Sequence, residues 1–358
     1  MEQTGVSLSP SAGGRKVALS VLVFLVIAAA GLLYVKWWPY YHKAFTAAQT
    51  HSIGASIVTG KAAAAPAPSW HAAWDYAKTY FLSVWKAAVL GILLGSLIQV
   101  LLPSRWLLKA LGKADFKSTA IAGLASIPGM MCTCCAAPMA VGLRRKKVSA
   151  GAALAFWIGN PAINPATLVF MTFVLSWKFT LLRLVFGLIL TFGVSYLANR
   201  FAGDARVPSE IDPDGSGQPA AVESGPLLIR WLKSAGLLSL HIVPAYIATV
   251  LVLGAFRAWL FPAIGTAASE SILVIIGVAL AGMLFVIPTA AEIPIIQSLM
   301  SYGMGAGPAG ALLVTLPTVS LPSLLMLSRS FPARVLLFIA GSVVVLGIAG
   351  GLAAMAWL

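Results

Sequence analysis

Every cysteine of the chain falls within four residues, Cys132-Thr133-Cys134-Cys135. Thiolates are soft ligands that favour soft metals and, by the same chemistry, trivalent metalloids, so three together point to a thiophilic solute. Cys132 with Cys134, or Cys132 with Cys135, can meet on one face, whereas Cys134 and Cys135 point apart in an extended backbone. A cysteine can also be a plain small hydrophobe, and Cys132 with Cys135 can carry thiol–disulfide exchange. Glu292 is the acid set deep in an apolar segment, where a charge costs roughly 2.5–3.5 kcal/mol on insertion scales. Such a residue is functional by default, and here it is expected to titrate and couple proton movement to solute exit. Asn160 and Asn164 offer side-chain amides beside Pro161 and Pro165, with Thr318 and Ser320 in the matching place further on. No catalytic set, metal site or cofactor is expected. His42, His51 and His71 lack ligand spacing, and no Gly-x-x-x-x-Gly-Lys-Ser/Thr phosphate loop is present.

Prolines frame these residues. Pro128 and Pro138 flank the thiols, Pro161 and Pro165 the amides, and Pro288, Pro294, Pro317 and Pro322 recur later, each expected to break a helix. In hydrocarbon, freed backbone groups are tolerated only where protein or a water-filled cavity satisfies them, so such breaks line cavities.

The elements that must hold them are membrane helices. With 358 residues, 59% hydrophobic and 9% charged, the chain has more apolar surface than a soluble domain can hide. Apolar runs at Val17–Val35, Phe81–Leu102, Val148–Val174, Phe179–Leu197, Trp231–Phe256, Gly310–Leu327 and Val335–Leu358 predict about seven spans. The net charge of +14 sits mostly at the ends of these runs, which speaks for topology and against a nucleic-acid partner. Lys36, Trp37 and Trp38 follow the first run where a signal peptide would have small residues, so it reads as an anchor.

Two basic clusters, Arg105 to Lys117 and Arg144 to Lys147, stand too close for one crossing between them to keep both inside. A re-entrant hairpin resolves the conflict, with arms Ser118–Ile127 and Met139–Leu143 and the thiols at its turn. With a cytoplasmic N-terminus, Lys36, Arg183 and Arg257 then fall at the outer edge. The organisation reads as an N-terminal anchor and extramembrane linker (1–79), a first transmembrane repeat (80–199), a flexible cytoplasmic linker (200–230) and a second repeat (231–358).

The two halves share their order of proline breaks, and a second hairpin, Ser271–Met304, places Glu292 near the position of Ala136. The expected fold is therefore an all-α polytopic bundle of two inverted repeats with two re-entrant broken-helix hairpins, whose solute site lies near the midplane.

In Cys132-Thr133-Cys134-Cys135-Ala136-Ala137-Pro138, Asn160-Pro161-Ala162-Ile163-Asn164-Pro165, Glu292-Ile293-Pro294 and Leu321-Pro322-Ser323, the chain resembles the predicted permease family that includes ArsP-type efflux permeases for trivalent organoarsenicals. The similarity covers roughly residues 80 to 358. Cys132 and Cys134 match the family's Cys-x-Cys, and Cys135 stands where a small residue is expected. The resemblance implies a multi-pass permease of the bacterial inner membrane that, in some members, exports methylarsenite or reduced aromatic arsenicals bound by thiols. The expected partners are such a small solute and the lipid bilayer, with no nucleic acid; the oligomeric state is left open, a homodimer being one option. The alternatives are a permease for another sulfur-reactive or metalloid solute, and a transmembrane thiol–disulfide relay.

Overall fold

The computed structural model describes residues 10–60, 62, 64–203, 226–261 and 271–358. Much of the expected 200–230 linker lies outside the described residues. Helix α1 (Pro10–Leu32) continues through a π-helical turn (Leu33–Trp37) into α2 (Trp38–Thr50). Only 6% of its apolar window is buried, so its leucines and valines face outward as lipid-facing side chains do. Helix α3 (Trp70–Leu101) is capped by Ser69, whose side chain accepts from the Ala72 amide. The short α4 (Ser104–Leu111) and α5 (Phe116–Ser126) follow, the latter capped by Asp115 on the Ser118 amide at 2.8 Å.

Helices α6 (Thr133–Arg145), α7 (Ala150–Ala162) and α8 (Pro165–Val174) come next, then α9 (Trp177–Leu188), which runs through a second π-turn into α10 (Ser195–Ala202). The second half holds α11 (Leu227–Ala255), α12 (Arg257–Leu260), α13 (Ile272–Leu284), α14 (Glu292–Ser301), α15 (Ala306–Thr315), α16 (Leu321–Leu327) and α17 (Ala333–Trp357).

Among the described residues, five helices are long and apolar enough to cross a membrane: Val17–Thr50, Trp70–Leu101, Trp177–Ala202, Leu227–Ala255 and Ala333–Trp357. The runs Val148–Val174 and Gly310–Leu327, read from sequence as single spans, are each interrupted, into α7 with α8 and into α15 with α16. The cause is local. Asn164 and Ser320 take extended conformations and cap new helices that begin at Pro165 and at Leu321-Pro322. At 1.5 Å per residue, the 13 residues of α7 reach only about 20 Å, short of the roughly 30 Å hydrocarbon core.

Three prolines expected to break helices lie within them: Pro138 inside α6, Pro294 inside α14, and Pro161 in the last turn of α7, one residue before that helix ends. Pro294 is the third residue of its helix, where the amide has no intrahelical acceptor in any case. Pro138 forfeits only the bond to the Cys134 carbonyl, and its own carbonyl lies against Gly95 of α3.

Neighbouring halves interlock: α3 packs on α11 and α6, α6 on α16, and α9 on α15. Glycine sets the closest approach, since a Cβ on Gly91 would strike the Cys135 carbonyl and one on Gly95 would sit 2.5 Å from the Pro138 oxygen. The thiol-bearing helix is thus seated on α3 backbone to backbone. Gly95→Ala should therefore displace α6 and cost about 1–3 kcal/mol by overpacking, read as a lower unfolding midpoint of the detergent-solubilised protein. An unchanged midpoint would mean that α6 is not held at this distance.

Candidate functional site

The first break runs from the 3-10 turn Ile127–Gly129 through Met130 and Met131 to Cys132, the N-cap of α6. Met130 adopts φ 49°, a left-handed conformation unusual for a side chain of its size. The second break, Phe285 to Ala291, repeats this with Pro288 for Pro128 and Ala290 at φ 68° for Met130. By the same spacing Glu292 stands opposite Cys132, not Ala136, so each half offers one reactive group at the start of its inner helix.

Of the three cysteines, only Cys132 is extended, as the residue that precedes α6. Cys134 and Cys135 occupy the first turn of α6, and all three cysteines are free and buried, at 5%, 3% and 1% exposure. Cys132 and Cys135 come together, with Sγ atoms 2.9 Å apart. Cys134 points elsewhere, 3.5 Å from the Ser320 hydroxyl at the N-terminus of α16. Ser320 also contacts the Thr133 hydroxyl at 3.2 Å and Ser323 at 3.0 Å. The Cys134 thiol therefore faces hydroxyls of the other half.

Asn160 and Asn164 hold backbone. Asn160 Oδ1 accepts from the Met131 amide at 3.4 Å, its Nδ2 donates to the Phe156 carbonyl at 2.8 Å, and Gly129 is pressed against its side chain. Asn164 Oδ1 accepts from the amides of Ala166 and Thr167 as the cap of α8, and its buried Nδ2 has no partner among the described residues. Trp157 adds a bond from Nε1 to the Thr133 carbonyl at 2.9 Å.

Glu292 is 1% exposed and ion-paired at 3.1 Å with Arg183, which is 2% exposed. Arg183 thus belongs to the interior, not to the outer edge where its charge had placed it. Its Nε and NH2 donate to the carbonyls of Ala162 and Pro161, where α7 ends, at 3.0 and 2.6 Å. Its NH1 donates to Glu292 and to the Leu313 carbonyl near the end of α15. One guanidinium thereby satisfies groups from three broken segments, as a planar five-donor fork can. The sequence signal was present: Arg183 is a charge inside the apolar run Phe179–Leu197, the same criterion that singled out Glu292.

A cavity of about 10 Å³, room for roughly one water, lies where these parts converge. Its walls include Cys132, Thr133, Pro161, Thr167, Glu292 and Pro317, so all four broken regions contribute. Glu292 Oε2 has no hydrogen-bond partner among the described residues. Beside it lies a second cavity of about 760 Å³, and Pro288, Thr289 and Ala290 line both. Lys36, placed at the outer edge by its position in sequence, is buried in that wall, donating to Tyr40 and Thr289 at 3.0 Å each. Its neighbour Trp37 donates to the Pro128 carbonyl at 2.8 Å, so adjacent residues of the N-terminal helix touch both breaks.

Apolar helices of crossing length around a buried polar site made from broken helices are the build of a multi-pass membrane permease. The chain belongs to a family of predicted permeases, ArsP_1, whose model matches residues 69–355. It is 53% identical over 355 residues to the UPF0718 protein YraQ of Escherichia coli K12, covering 98% of this chain and 99% of that protein. It is also 36% identical over 104 residues to the UPF0718 protein MJ0584 of Methanocaldococcus jannaschii, 29% of this chain and 24% of that one. No solved structure matches the chain.

Removing either charge of the Arg183–Glu292 pair leaves the other buried and unpaired, a loss of about 3–5 kcal/mol. Arg183→Leu and Glu292→Leu should each lower the unfolding midpoint in detergent, and the double variant should lose less than the sum of the two. Additive losses would show that the pair is not coupled.

Proposed function

We propose that the protein is a secondary transporter that exports a thiophilic small solute across the bacterial inner membrane, with trivalent organoarsenicals such as methylarsenite as the preferred class. One observation carries this reading: Cys132 and Glu292, the reactive groups of the two halves, line one small cavity where the four broken regions meet. Cys132 and Cys135 are close enough to share a soft atom, and Cys134, turned to Ser320 of the opposite half, offers a further thiol outside the residues that line the cavity. The first residues of α6 and α14 border this cavity, adding partial positive charge for an electron-rich ligand.

The repeated order of a long helix, a hairpin broken at a left-handed residue, a helix pair broken at its second cap, and a final long helix supports two inverted repeats. On that reading α7 with α8 and α15 with α16 each make one broken crossing, giving seven in all. The N-terminus lies in the cytoplasm, and the segment before residue 80 anchors the first repeat. Glu292 takes up the coupling proton. In the resting state Arg183 holds it, and neutralising the carboxylate would loosen Arg183's grip on α7 and α15. A disulfide relay is disfavoured by burial, because thiols at 5% exposure or less are out of reach of a protein partner.

Everted membrane vesicles offered methylarsenite, phenylarsenite, antimonite and Hg²⁺ should accumulate the arsenicals when they contain the protein, and Cys132→Ser should abolish that uptake. Uptake equal to vesicles lacking the protein, or unaffected by Cys132→Ser, would refute thiol-mediated export. Glu292→Gln should flatten the pH dependence of uptake; an unchanged rate and pH profile would exclude coupling through this carboxylate.

A further inference from the structure

The larger cavity carries a surplus of positive charge, of which Lys36 also lies within electrostatic reach of the Cys132 and Cys135 thiols. Among the described residues Lys36, Lys43 and Arg257 line it, against a single carboxylate, Asp75, which lies within electrostatic reach of Arg257 and also pairs with His71 at 2.9 Å. Lys36 is 5% exposed, and both hydrogen-bond acceptors it has, Tyr40 and Thr289, are neutral hydroxyls. Arg257 is 7% exposed, donates NH1 to the Ala72 carbonyl at 3.2 Å and lies over the Tyr76 ring. Its buried Nε has no partner among the described residues. Arg183 makes the contrast plain: at similar burial it has a carboxylate of its own. Buried cations normally keep a counter-charge, because an isolated one is costly in a low dielectric. Here the protein supplies walls and cations, and leaves the volume between them open.

We infer that this chamber is an anion-binding site, taking a small oxyanion, inorganic or carboxylate, between Lys36 and Arg257 at the approach to the thiols. The volume of about 760 Å³ admits a small organic acid as readily as a tetrahedral oxyanion. Lys36 connects the chamber to the inner site, since its partner Thr289 also lines the thiol cavity. An anion drawing the ammonium away would free the Thr289 hydroxyl on the wall between the two cavities. Two of the three cations, Lys36 and Lys43, come from the segment before residue 69, outside the part matched by the family model. The chamber is thus finished by the N-terminal helix of this chain. This inference deepens the permease reading, but its test is independent of transport.

Purified full-length protein in neutral detergent would be titrated with sulfate, phosphate, acetate and benzoate at constant ionic strength, following the unfolding midpoint. At least one of these anions should raise the midpoint saturably, Lys36→Arg should retain the effect, and Lys36→Gln should weaken the apparent affinity at least tenfold. Should Lys36→Gln fail to fold, Arg257→Gln and Lys43→Gln serve in its place, each with weakened affinity expected. No saturable shift with any of the four anions, or a shift indifferent to all three substitutions, overturns the assignment. Repeating the titration on Cys132→Ser separates the two sources of the anion's chemistry. Unchanged affinity for sulfate or phosphate there marks a free anion held by the chamber alone, and binding confined to the carboxylates marks the acidic end of an organic solute. A failure here leaves thiol-mediated export standing, and a failure of vesicle uptake leaves the anion site standing.

Discussion

The arrangement of the broken helices depends on how Arg183 is satisfied. A guanidinium so deeply buried is tolerated only when its donors are matched, and it meets the carbonyls of Pro161, Ala162 and Leu313 together with the Glu292 carboxylate. Those carbonyls belong to helix ends that would otherwise be unpaired in hydrocarbon. Glu292, in the first turn of α14, is also at the helix end that favours negative charge. A single ion pair therefore closes the C-termini of two half-helices and opens the N-terminus of a third. Its coupling of α7, α14 and α15 makes the site one unit rather than three loose ends.

Around this pair the backbone is held under local strain. Met130 and Ala290 sit in the left-handed region at the equivalent place of the two breaks, a conformation that costs a residue other than glycine roughly 1–2 kcal/mol. Asn160 and Trp37 hold the first break, and Lys36 and the Tyr76 hydroxyl, which donates to the Val286 carbonyl, hold the second. Of the two strained segments, the second, at Pro288 to Ala290, forms the wall between the thiol cavity and the larger one. The glycine contacts of α3 hold the cysteine-bearing helix from the other side.

Much of this was legible in the sequence. The clustered cysteines and the two basic clusters mark the first break and the lone acid marks the second; α5 covers most of the expected first arm, while α6 begins earlier than the expected second arm and takes in Cys134 and Cys135. The recurrence of prolines marked the second half, although Pro138 and Pro294 proved compatible with helix, one giving up a single bond and the other none. Arg183 carried the same signal as Glu292, a charge inside an apolar run, whereas Lys36 and Arg257 were hidden because a charge near the end of such a run looks the same whether it meets water or a buried partner. Only the fold shows which partner it has. Likewise, 27 consecutive mostly apolar residues at Val148–Val174 fit one span by hydropathy. The cap at Asn164 outweighs that pattern, because its side chain satisfies two amides that a continuous helix would have bonded otherwise.

Cys132 shares a cavity the size of about one water with Glu292, and in the proposed export the solute's path runs through it. The most direct measurement of that central claim is the rate at which N-ethylmaleimide alkylates Cys132 in membranes, read by mass spectrometry with and without phenylarsenite. The account predicts slow labelling of Cys132 that phenylarsenite suppresses, together with faster labelling when Glu292→Gln loosens the breaks. Cysteines that react at the same rate whether or not the arsenical is present would place the solute elsewhere and contradict it.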